Sequence, residues 1–258
     1  MNTALKNTLD QIDVLKERLQ SVRPVHSEAL EKIKMSFEIE YTYESNRIEG
    51  NTLTLQETAL IISEGITIGG KSLREHLEVI NHTQAISFIK EIVSFNIEIS
   101  EYLIKQIHSL ILFGINHEQA GVYRNVPVMI VGSKHIPPQP YLIVPQMEQF
   151  IFEYKQKEIN NIHPVLIAAY LHDELVKIHP FIDGNGRVSR LLMNLYLLSK
   201  GYTLTILKGN NEAKLTYYTA LETSHIENNN EPFNLFVATT VKQSLEEYLK
   251  IIDGNITG

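Results

Sequence analysis

The sequence predicts an all-α protein, a helical bundle with one small β-hairpin. Apolar residues recur at helical spacing along most of the 258-residue chain, and one segment instead carries a run of β-branched residues followed by prolines. Hydrophobic residues make up 43% of the chain and charged residues 21%, ordinary values for a globular protein with a sizeable core. The chain has no cysteine, which excludes disulfides, cysteine nucleophiles and thiolate metal sites.

The N-terminal helices are predicted from apolar spacing together with start and stop signals. Leucine and isoleucine residues between 5 and 19 share one helical face, and this first helix should end before Pro24. A second helical pattern covers 27–47 and stops at Gly50. The segment Thr54–Glu57 has the spacing of a capping box, so a third helix should begin there.

The rest of the chain is also predicted to be helical, apart from one segment. The residues at about 126–138 contain β-branched side chains, a Gly-Ser turn and prolines, so they are predicted to form a β-hairpin. We expect residues 1–40 to be a helical extension and 41–258 to be the main domain. Further helices are indicated at 73–80, at 102–112, behind the first-turn prolines Pro145 and Pro164, at 184–200, at 215–221 and at 233–252.

Charge and hydropathy limit the classes of partner and the cellular locations that the sequence allows. The 23 lysines and arginines form no basic block and are outnumbered by 30 aspartates and glutamates, which gives a formal net charge of −7. Because phosphate contacts need clustered positive charge, nucleic acid is not expected as a partner. No secretory signal pattern is visible, and the longest apolar stretch, 165–171, is too short to span a bilayer. We therefore expect a soluble cytoplasmic protein with no membrane partner.

The densest chemical signal is the segment His179–Arg190, which reads HPFIDGNGRVSR between two helical patterns. Gly184 and Gly186 allow a tight turn and the close approach of a ligand, and the helix that follows offers unpaired N–H groups and a positive dipole end. Arg187 and Arg190 lie three residues apart on one helix face, where both can reach neighbouring phosphate groups. The segment therefore predicts a polyphosphate site.

Three further side chains of this segment have predicted roles. Asp183 is a hard oxygen ligand of the type that Mg²⁺ uses alongside substrate phosphates. His179, with an unperturbed pKa of about 6.5, can accept a proton from an attacking hydroxyl near neutral pH. Phe181 is expected to point into the core and support the loop. Each part is common alone, but eight specified positions together have a chance probability on the order of 10⁻⁸ in one chain.

The segment matches the signature of the Fic family, HxFx(D/E)GNGRxxR, at every specified position. The surrounding residues agree, because 168–172 and 191–194 resemble the helices on either side of the family motif, and the likeness runs from about Ser45 to Tyr248. The resemblance implies a Fic fold with a β-hairpin flap. It also implies transfer of AMP from ATP to a Ser, Thr or Tyr hydroxyl of a target protein, with pyrophosphate leaving.

The resemblance assigns a role to each residue of the motif. His179 would deprotonate the target hydroxyl, and Asp183 would hold Mg²⁺ against the α- and β-phosphates. Arg190 would reach the γ-phosphate. The phosphates would be cradled by the backbone of Gly184, Asn185, Gly186 and Arg187.

Outside the motif, the resemblance implies a docking site and an adenine site. Ser133, Lys134 and His135 lie in the segment that resembles the flap, which aligns a target by strand addition. Tyr217 and Tyr218 resemble a pair of tyrosines that lie near the adenine, although two tyrosines on a helix are often plain packing residues. Besides ATP and an unknown target protein, the chain itself is a candidate for modification and for homo-oligomer formation.

A second pattern precedes the core of the domain. Residues 45–51, which include Ser45 and Glu49, resemble the inhibitory motif (S/T)xxxE(G/N) of Fic proteins with an N-terminal inhibitory helix. The resemblance pairs Glu49 with Arg190, where a carboxylate would occupy the seat of the γ-phosphate. Residues 223–228 also fit this loose pattern, and Glu49 could simply end a helix.

Other functions stay open from the sequence. Gly65–Ser72 matches the phosphate loop GxxxxGK(S/T) of P-loop NTPases, although helical spacing precedes it instead of a buried strand. His172 and Asp173 could serve a metal phosphohydrolase, but no spaced set of ligands accompanies them. A binding module without catalysis is a further possibility. Within the family, the same site can remove AMP from a modified protein or transfer another phosphate-containing group.

Overall fold

The computed structural model describes residues 2–22 and 28–256, the side chains of 28–30 and 254–256 excepted. Within these ranges the regular structure is helical and no β-strand occurs. None of the helices in this part of the chain is long and apolar enough to cross a membrane. The described residues form ten α-helices: α1 Thr3–Ser21, α2 Glu28–Ile48, α3 Leu55–Glu64, α4 Leu73–Ser94, α5 Glu101–Ile111, α6 Ile143–Ile159, α7 Pro164–Ile178, α8 Asn185–Ser199, α9 Asn211–Glu227 and α10 Glu231–Ile256.

The helix ends follow the local signals in the sequence. α1 ends at Ser21, as predicted, although Pro24 itself lies outside the described residues. Thr54 opens α3 with a capping box, in which its hydroxyl accepts the N–H of Glu57 at 3.2 Å and the Glu57 carboxylate accepts the N–H of Thr54 at 2.7 Å. Pro164 is the first residue of α7, where its missing N–H costs nothing. The all-α prediction is confirmed.

α7 and α8 lie at the centre of the bundle. α8 is buried along nearly its whole length and packs against α4 and α5 as well as α7. α7 also contacts α6 and α10 on its other sides. The loop that joins α7 to α8 therefore begins and ends in the core, and neighbouring helices hold its backbone in place.

The N-terminal helix belongs to the same hydrophobic core. α1 packs along α10, and its buried leucine and isoleucine side chains join the cluster that contains those of α7 and α8. α2 runs through residue 40 without a break. The division into an extension, 1–40, and a main domain, 41–258, thus places its boundary inside a helix and stays a prediction.

The β-hairpin is where the structure departs from the prediction. The segment 126–138 contains a turn, in which the N–H of Ser133 donates to the carbonyl of Ile130 at 3.1 Å, but it contains no strand. An isolated two-stranded hairpin is marginal in water, and the prolines after the turn have no N–H to donate to a ladder. The segment, called the flap below, is an extended loop.

We expect Ile12→Ala to lower the free energy of unfolding by about 2–5 kcal/mol, because Ile12 is fully buried on the face of α1 that packs into the core. Val14→Ala, at a position that is 65% exposed on the same helix, is the matched control and should change it by less than about 0.5 kcal/mol. Urea denaturation of both variants measures the difference. Equal free energies of unfolding for the two variants would mean that α1 does not unfold together with the core.

Candidate active site

The loop between α7 and α8 places the predicted site residues in an unusual backbone conformation. His179 ends α7 at φ 49° and ψ 58°, a left-handed conformation that costs a non-glycine residue free energy. Its N–H donates to the carbonyl of Leu175 at 3.0 Å. Gly184 precedes α8 at φ 81°, where glycine is needed. The surrounding contacts hold His179 in this strained conformation at the start of the loop.

Asn185 and Phe181 hold the interior of the loop. The side-chain amide of Asn185 donates to the carbonyl of Phe181 at 2.8 Å, and its oxygen accepts the N–H of Phe181 at 3.0 Å. The Phe181 ring is fully buried, as predicted, and stacks on His108 with ring centroids 3.7 Å apart. Asn185 was predicted to bind nucleotide, but its side chain is occupied by the loop. Only its backbone N–H, at the start of α8, is left for a ligand.

His108 supports the loop from α5 and was missed by the sequence analysis. Its Nε2 lies 2.9 Å from the carbonyl of Asp183, and its Nδ1 accepts the N–H of Gly121 at 2.9 Å. These bonds assign the ring proton to Nε2. Burial lowers the pKa of His108 to about 4, so the neutral form persists in the folded protein. No sequence spacing links His108 to a loop 75 residues away.

The glutamate of the second motif lies directly against the N-terminus of α8. A Cβ atom added to Gly186 would fall 2.3 Å from the Oε1 atom of Glu49, so the carboxylate occupies the space that only a glycine leaves. Arg190 donates from Nη2 to the same oxygen at 2.6 Å. It also donates from Nε to the hydroxyl of Ser45 at 2.9 Å and from Nη2 to the Ser45 carbonyl at 2.9 Å. The structure thus brings Ser45, Glu49 and Arg190 together.

Both members of this pair are charged. Burial acts to raise the pKa of Glu49, but the charges of Arg190 and Arg187 outweigh it, and the pKa is lowered from its usual value. Burial acts to lower the pKa of Arg190, and the adjacent Glu49 carboxylate reverses this and raises it. An ion pair of this kind is costly to break by removing one partner, since the other charge is then left buried.

Asp183 is paired with two arginines at the edge of the site. Its Oδ1 accepts a hydrogen bond from Nη2 of Arg187 at 3.2 Å, and its Oδ2 accepts one from Nη2 of Arg74 at 2.6 Å. Glu78 lies beside both arginines, 3.1 Å from Nε of Arg74 and 3.5 Å from Nη1 of Arg187. Arg74 and Glu78 were not predicted as site residues. Their i, i+4 spacing is visible in the sequence, but nothing there places them near Asp183.

The arginines of the motif retain donors that form no hydrogen bond within the described part of the chain, although Nη1 of Arg187 lies in the 3.5 Å ion pair with Glu78. Arg187 and Arg190 are 2% and 1% exposed, yet Nε and Nη1 of Arg187 and Nη1 of Arg190 have no hydrogen-bond partner among the described residues. Buried donors without acceptors are rare and costly in folded proteins. Their position beside the start of α8 fits an anionic ligand with several oxygens.

His179 has the protonation state that a base requires. Its Nδ1 lies 3.3 Å from the carbonyl of Val176 and carries the ring proton, which leaves Nε2 as the acceptor. Burial lowers the pKa of His179 to about 4, so the ring is neutral at physiological pH. The side chain is only partly buried, so Nε2 can meet a substrate.

The two predicted adenine-site tyrosines differ in exposure. Tyr217 is 2% exposed, its hydroxyl lies 3.1 Å from Nε2 of His172, and it is close enough to Arg190 and Glu49 for their charges to act on its pKa, which burial raises. Tyr218 is 44% exposed and lies beside the end of α2, its hydroxyl 3.5 Å from the carbonyl of Ile48. A position near the adenine therefore stays a prediction for both tyrosines, and Tyr218 is the one whose ring is exposed.

The flap residues predicted to dock a target are themselves anchored. Glu222 of α9 accepts hydrogen bonds from the hydroxyl of Ser133 at 2.5 Å and from the N–H of Lys134 at 2.8 Å. The His135 ring lies 2.8 Å from the carbonyl of Lys177. These contacts fix the tip of the flap against α9 and α7.

Comparison with known proteins agrees with this geometry. A model of the Fic/DOC family matches residues 98–197. The structure is similar to that of Fic-1 from C. elegans with a TM-score of 0.87 and 30% identity, over 97% of this chain and 73% of that one. The chain belongs to the Fic family. A Fic domain-containing signaling protein from Bacteroides thetaiotaomicron is also similar, with a TM-score of 0.85 and 28% identity over 95% of this chain and 98% of that one.

Among curated proteins, the protein adenylyltransferase Fic of Drosophila persimilis is 33% identical over 249 residues. That match covers 96% of this chain and 48% of the relative. A second one, from Drosophila grimshawi, is also 33% identical and covers 50% of the relative. The chain of this Fic protein thus spans about half the length of the curated relatives it matches.

The fold of this Fic protein removes the P-loop alternative. Gly65 ends α3 in a left-handed conformation and Ser72 begins α4 with a capping box, so no strand leads into Gly65–Ser72. Lys71 donates to the carbonyl of Thr52 at 2.6 Å and so binds another part of the chain. The P-loop interpretation is therefore wrong.

Two candidates from the sequence remain: the alternative inhibitory residue and the possible metal site of a phosphohydrolase. Glu227, the alternative inhibitory residue, is exposed at the end of α9. Arg190, with which an inhibitory glutamate would pair, is paired with Glu49. Asp173 accepts hydrogen bonds from Ser224 at 2.5 Å and pairs with His225 at 2.9 Å. Among the described residues no group of three His, Cys, Asp or Glu could hold a metal ion.

The buried histidines of this Fic protein predict a loss of stability in mild acid. Burial lowers the pKa of His108 and His179 to about 4 and that of His82 and His172 well below 6.5. In the unfolded chain they protonate near pH 6.5, so between about pH 6.5 and 4.5 the unfolded state binds more protons than the folded state. The free energy of unfolding should therefore fall as the pH is lowered through this window.

Urea denaturation at several pH values measures this slope. Above about pH 5.5 the carboxylates of the unfolded chain bind few protons, so the upper part of the window reports on histidines, whereas carboxylates with lowered pKa values, such as Glu49 and Glu75, add to the slope below it. His108→Gln should make the slope shallower by up to about 1.4 kcal/mol per pH unit, and His117→Gln, at an exposed position, should leave it unchanged. A stability independent of pH across this window would contradict the burial of neutral histidines.

Proposed function

We propose that this Fic protein transfers AMP from ATP to a hydroxyl group of a target protein and that Glu49 inhibits the reaction. The observation that carries the proposal is the position of the Glu49 carboxylate, against Gly186 and 2.6 Å from Arg190. There the positive end of α8 and a buried arginine would otherwise meet a phosphate group. The curated relatives are named protein adenylyltransferase Fic, which supports the choice of reaction.

The start of α8 and its arginines would bind the triphosphate. The backbone N–H groups of Asn185, Gly186 and Arg187 are first donors of the helix and have no partner within it, whereas the N–H of Gly184 donates to the Asp183 carboxylate at 2.6 Å. Nε of Arg187 and Nη1 of Arg190, which form no hydrogen bond with the described residues, add donors of fixed geometry, and Nη1 of Arg187 lies in an ion pair with Glu78 at 3.5 Å. Much of the catalysis by such a site comes from the orientation of the α-phosphate and the neutralisation of its charge.

His179 would take the proton of the attacking hydroxyl. Its Nε2 is free, its Nδ1–H is held by the carbonyl of Val176, and burial keeps the ring neutral. The hydroxyl oxygen would form a bond to the α-phosphorus while the bond from that phosphorus to the bridging oxygen of pyrophosphate breaks. A positioned base typically contributes about 10² to 10⁴ in rate.

Asp183 is the residue that would hold Mg²⁺. A single partly exposed carboxylate fits an ion that takes its other ligands from phosphates and water. Both of its oxygens are paired with arginines, and Arg74 is the more exposed of the two, so Arg74 would have to turn away. When bound, the ion would neutralise charge on the phosphates.

Glu49 would inhibit by occupying the place of the γ-phosphate. Its negative charge repels the phosphate and already satisfies Arg190, and its bulk fills the space beside Gly186. ATP could then not settle with its α-phosphate in line with the acceptor. The Glu49 side chain is 34% exposed, so a modest shift of the end of α2 would release it.

The acceptor would lie along the flap. Three apolar side chains there, Met129, Val131 and Ile136, are 88%, 102% and 76% exposed. The tip of the flap is held by Glu222, so the exposed edge is presented in a fixed position. An extended peptide segment would pack against these side chains with its hydroxyl directed to His179. The target can be another protein or a second copy of this chain.

We expect Glu49→Gly to raise the labelling of protein from α-labelled ATP by more than about tenfold, a factor equivalent to 1.4 kcal/mol. His179→Ala should abolish labelling in both the wild-type and the Glu49→Gly background. Glu227→Gly is the matched control, because this glutamate also ends a helix and fits the same loose motif but lies away from Arg190. It should leave labelling at the wild-type level.

Analysis of the products separates the alternatives within the family. AMP on protein and free pyrophosphate from ATP support the proposal. Release of AMP from modified protein by the wild type, lost in Glu49→Gly, would instead favour a hydrolase in which Glu49 activates water. Labelling from UTP and not from ATP would indicate a different transferred group, and labelling that is unchanged in Glu49→Gly would refute the inhibitory role.

A further inference from the structure

Arg124 connects the flap to the catalytic histidine. It lies before the flap and is 2% exposed. Its guanidinium donates to three main-chain carbonyls: Nε to that of His179 at 2.8 Å, Nη1 to that of Val126 at 3.0 Å and Nη2 to that of Pro138 at 2.6 Å. Its own N–H donates to the carbonyl of Pro180 at 2.9 Å. One side chain thus holds both ends of the flap and the residue that would act as the base.

This arrangement is unusual for a buried arginine. Buried guanidinium groups are normally paired with carboxylates, because an uncompensated charge is costly to remove from water. No carboxylate of the described residues forms an ion pair with Arg124, and burial lowers its pKa from the usual value. The charge is compensated by three carbonyl dipoles. Only the planar fork of arginine can reach three acceptors that diverge in this way, whereas lysine is a single point donor.

The contact at His179 has a particular consequence. His179 is held in a left-handed conformation, which a non-glycine residue adopts only when its surroundings impose it. Arg124 holds the carbonyl of this residue from one side, and the carbonyl of Leu175 accepts its N–H from the other. The orientation of the peptide planes on both sides of His179 sets the direction in which its ring points.

We propose that Arg124 is a positioning residue that fixes the distance between the flap and His179, and thereby between the acceptor hydroxyl and its base. The inference rests on the proposed function, since the acceptor is placed on the flap. Arg124 touches neither the start of α8 nor Arg187 or Arg190, so nucleotide binding does not depend on it. Its loss would let the flap and the base move independently, and water would compete with the acceptor for the α-phosphate.

The test uses Arg124→Lys in the Glu49→Gly protein, which keeps the positive charge and removes two of the three donor directions. Lys105→Met is the matched control, because this cation lies 3.9 Å from the centroid of the neighbouring Tyr123 ring and, within the described part of the chain, its side chain forms no hydrogen bond or ion pair with His179 or the flap ends. Three quantities are measured: hydrogen exchange of the flap amides, the dissociation constant of a non-hydrolysable ATP analogue, and the ratio of labelled protein to free AMP formed from α-labelled ATP.

We expect Arg124→Lys to accelerate hydrogen exchange in the flap and not in α8. The affinity for the ATP analogue should stay unchanged. The ratio of labelled protein to free AMP should fall by about 10²-fold, which is the effect of a misplacement of about 1 Å. Lys105→Met should match the Glu49→Gly parent in all three. Should Arg124→Lys fail to fold, Pro138→Gly loosens one flap end while keeping Arg124, and it should shift exchange and product ratio in the same direction.

Unchanged flap exchange together with an unchanged product ratio in Arg124→Lys would overturn the inference. A parallel loss of nucleotide affinity would also overturn it, because Arg124 would then support the whole site and not the flap alone. If the Glu49→Gly parent forms no labelled protein, the proposed function fails, and flap exchange still decides whether Arg124 holds the flap to His179.

Discussion

The ion pair between Arg190 and Glu49 is the interaction on which the rest of the site depends. Arg190 is 1% exposed within the central helix, so its charge requires a counter-ion. Its other polar neighbours stay neutral: burial, reinforced by the charge of Arg190, holds the pKa values of His82 and His172 far below their usual range, and burial raises that of Tyr217. A negative charge is therefore needed beside Arg190, and under the proposed function the Glu49 carboxylate and a phosphate compete for that place.

The position of Glu49 is set by contacts that also reach the opposite edge of the site. Asn51, two residues further along, donates to the carbonyl of Glu75 at 3.1 Å and to the carboxylate of Glu78 at 3.0 Å. Glu78 in turn accepts a hydrogen bond from Arg74, whose Nη2 atom is bonded to Asp183. The segment proposed to inhibit and the carboxylate proposed to bind the cation are thus both linked to Glu78. A change at one of them alters the charge that surrounds the other.

The helices and the motif could be predicted from sequence because their signals are local. The capping box at Thr54 and the first-turn proline Pro164 fix helix ends through atoms a few residues apart. The contact of Arg190 with Glu49 was foreseen only through resemblance to a family, since spacing does not link residues 141 positions apart. No feature of the sequence indicated the contacts of Arg124, because their acceptors are main-chain carbonyls, which every residue type possesses.

The errors also have physical causes. The flap carries β-forming side chains, but a two-stranded ribbon needs further packing to be stable, and here the segment is held by Glu222 and by side-chain donors instead of a strand ladder. Tyr217 and Tyr218 are adjacent, yet neighbouring residues on a helix point about 100° apart, so Tyr217 is buried while Tyr218 is 44% exposed. The sequence does not show which of two adjacent rings is buried.

Isothermal titration calorimetry with ATP and with ADP, in the presence of Mg²⁺, tests the competition between carboxylate and phosphate most directly. The His179→Ala protein, which prevents turnover, is compared with the same protein carrying Glu49→Gly. ADP lacks the γ-phosphate that Glu49 would displace, so we expect the removal of Glu49 to strengthen ATP binding much more than ADP binding. An equal gain for both nucleotides, or no gain for either, would contradict it.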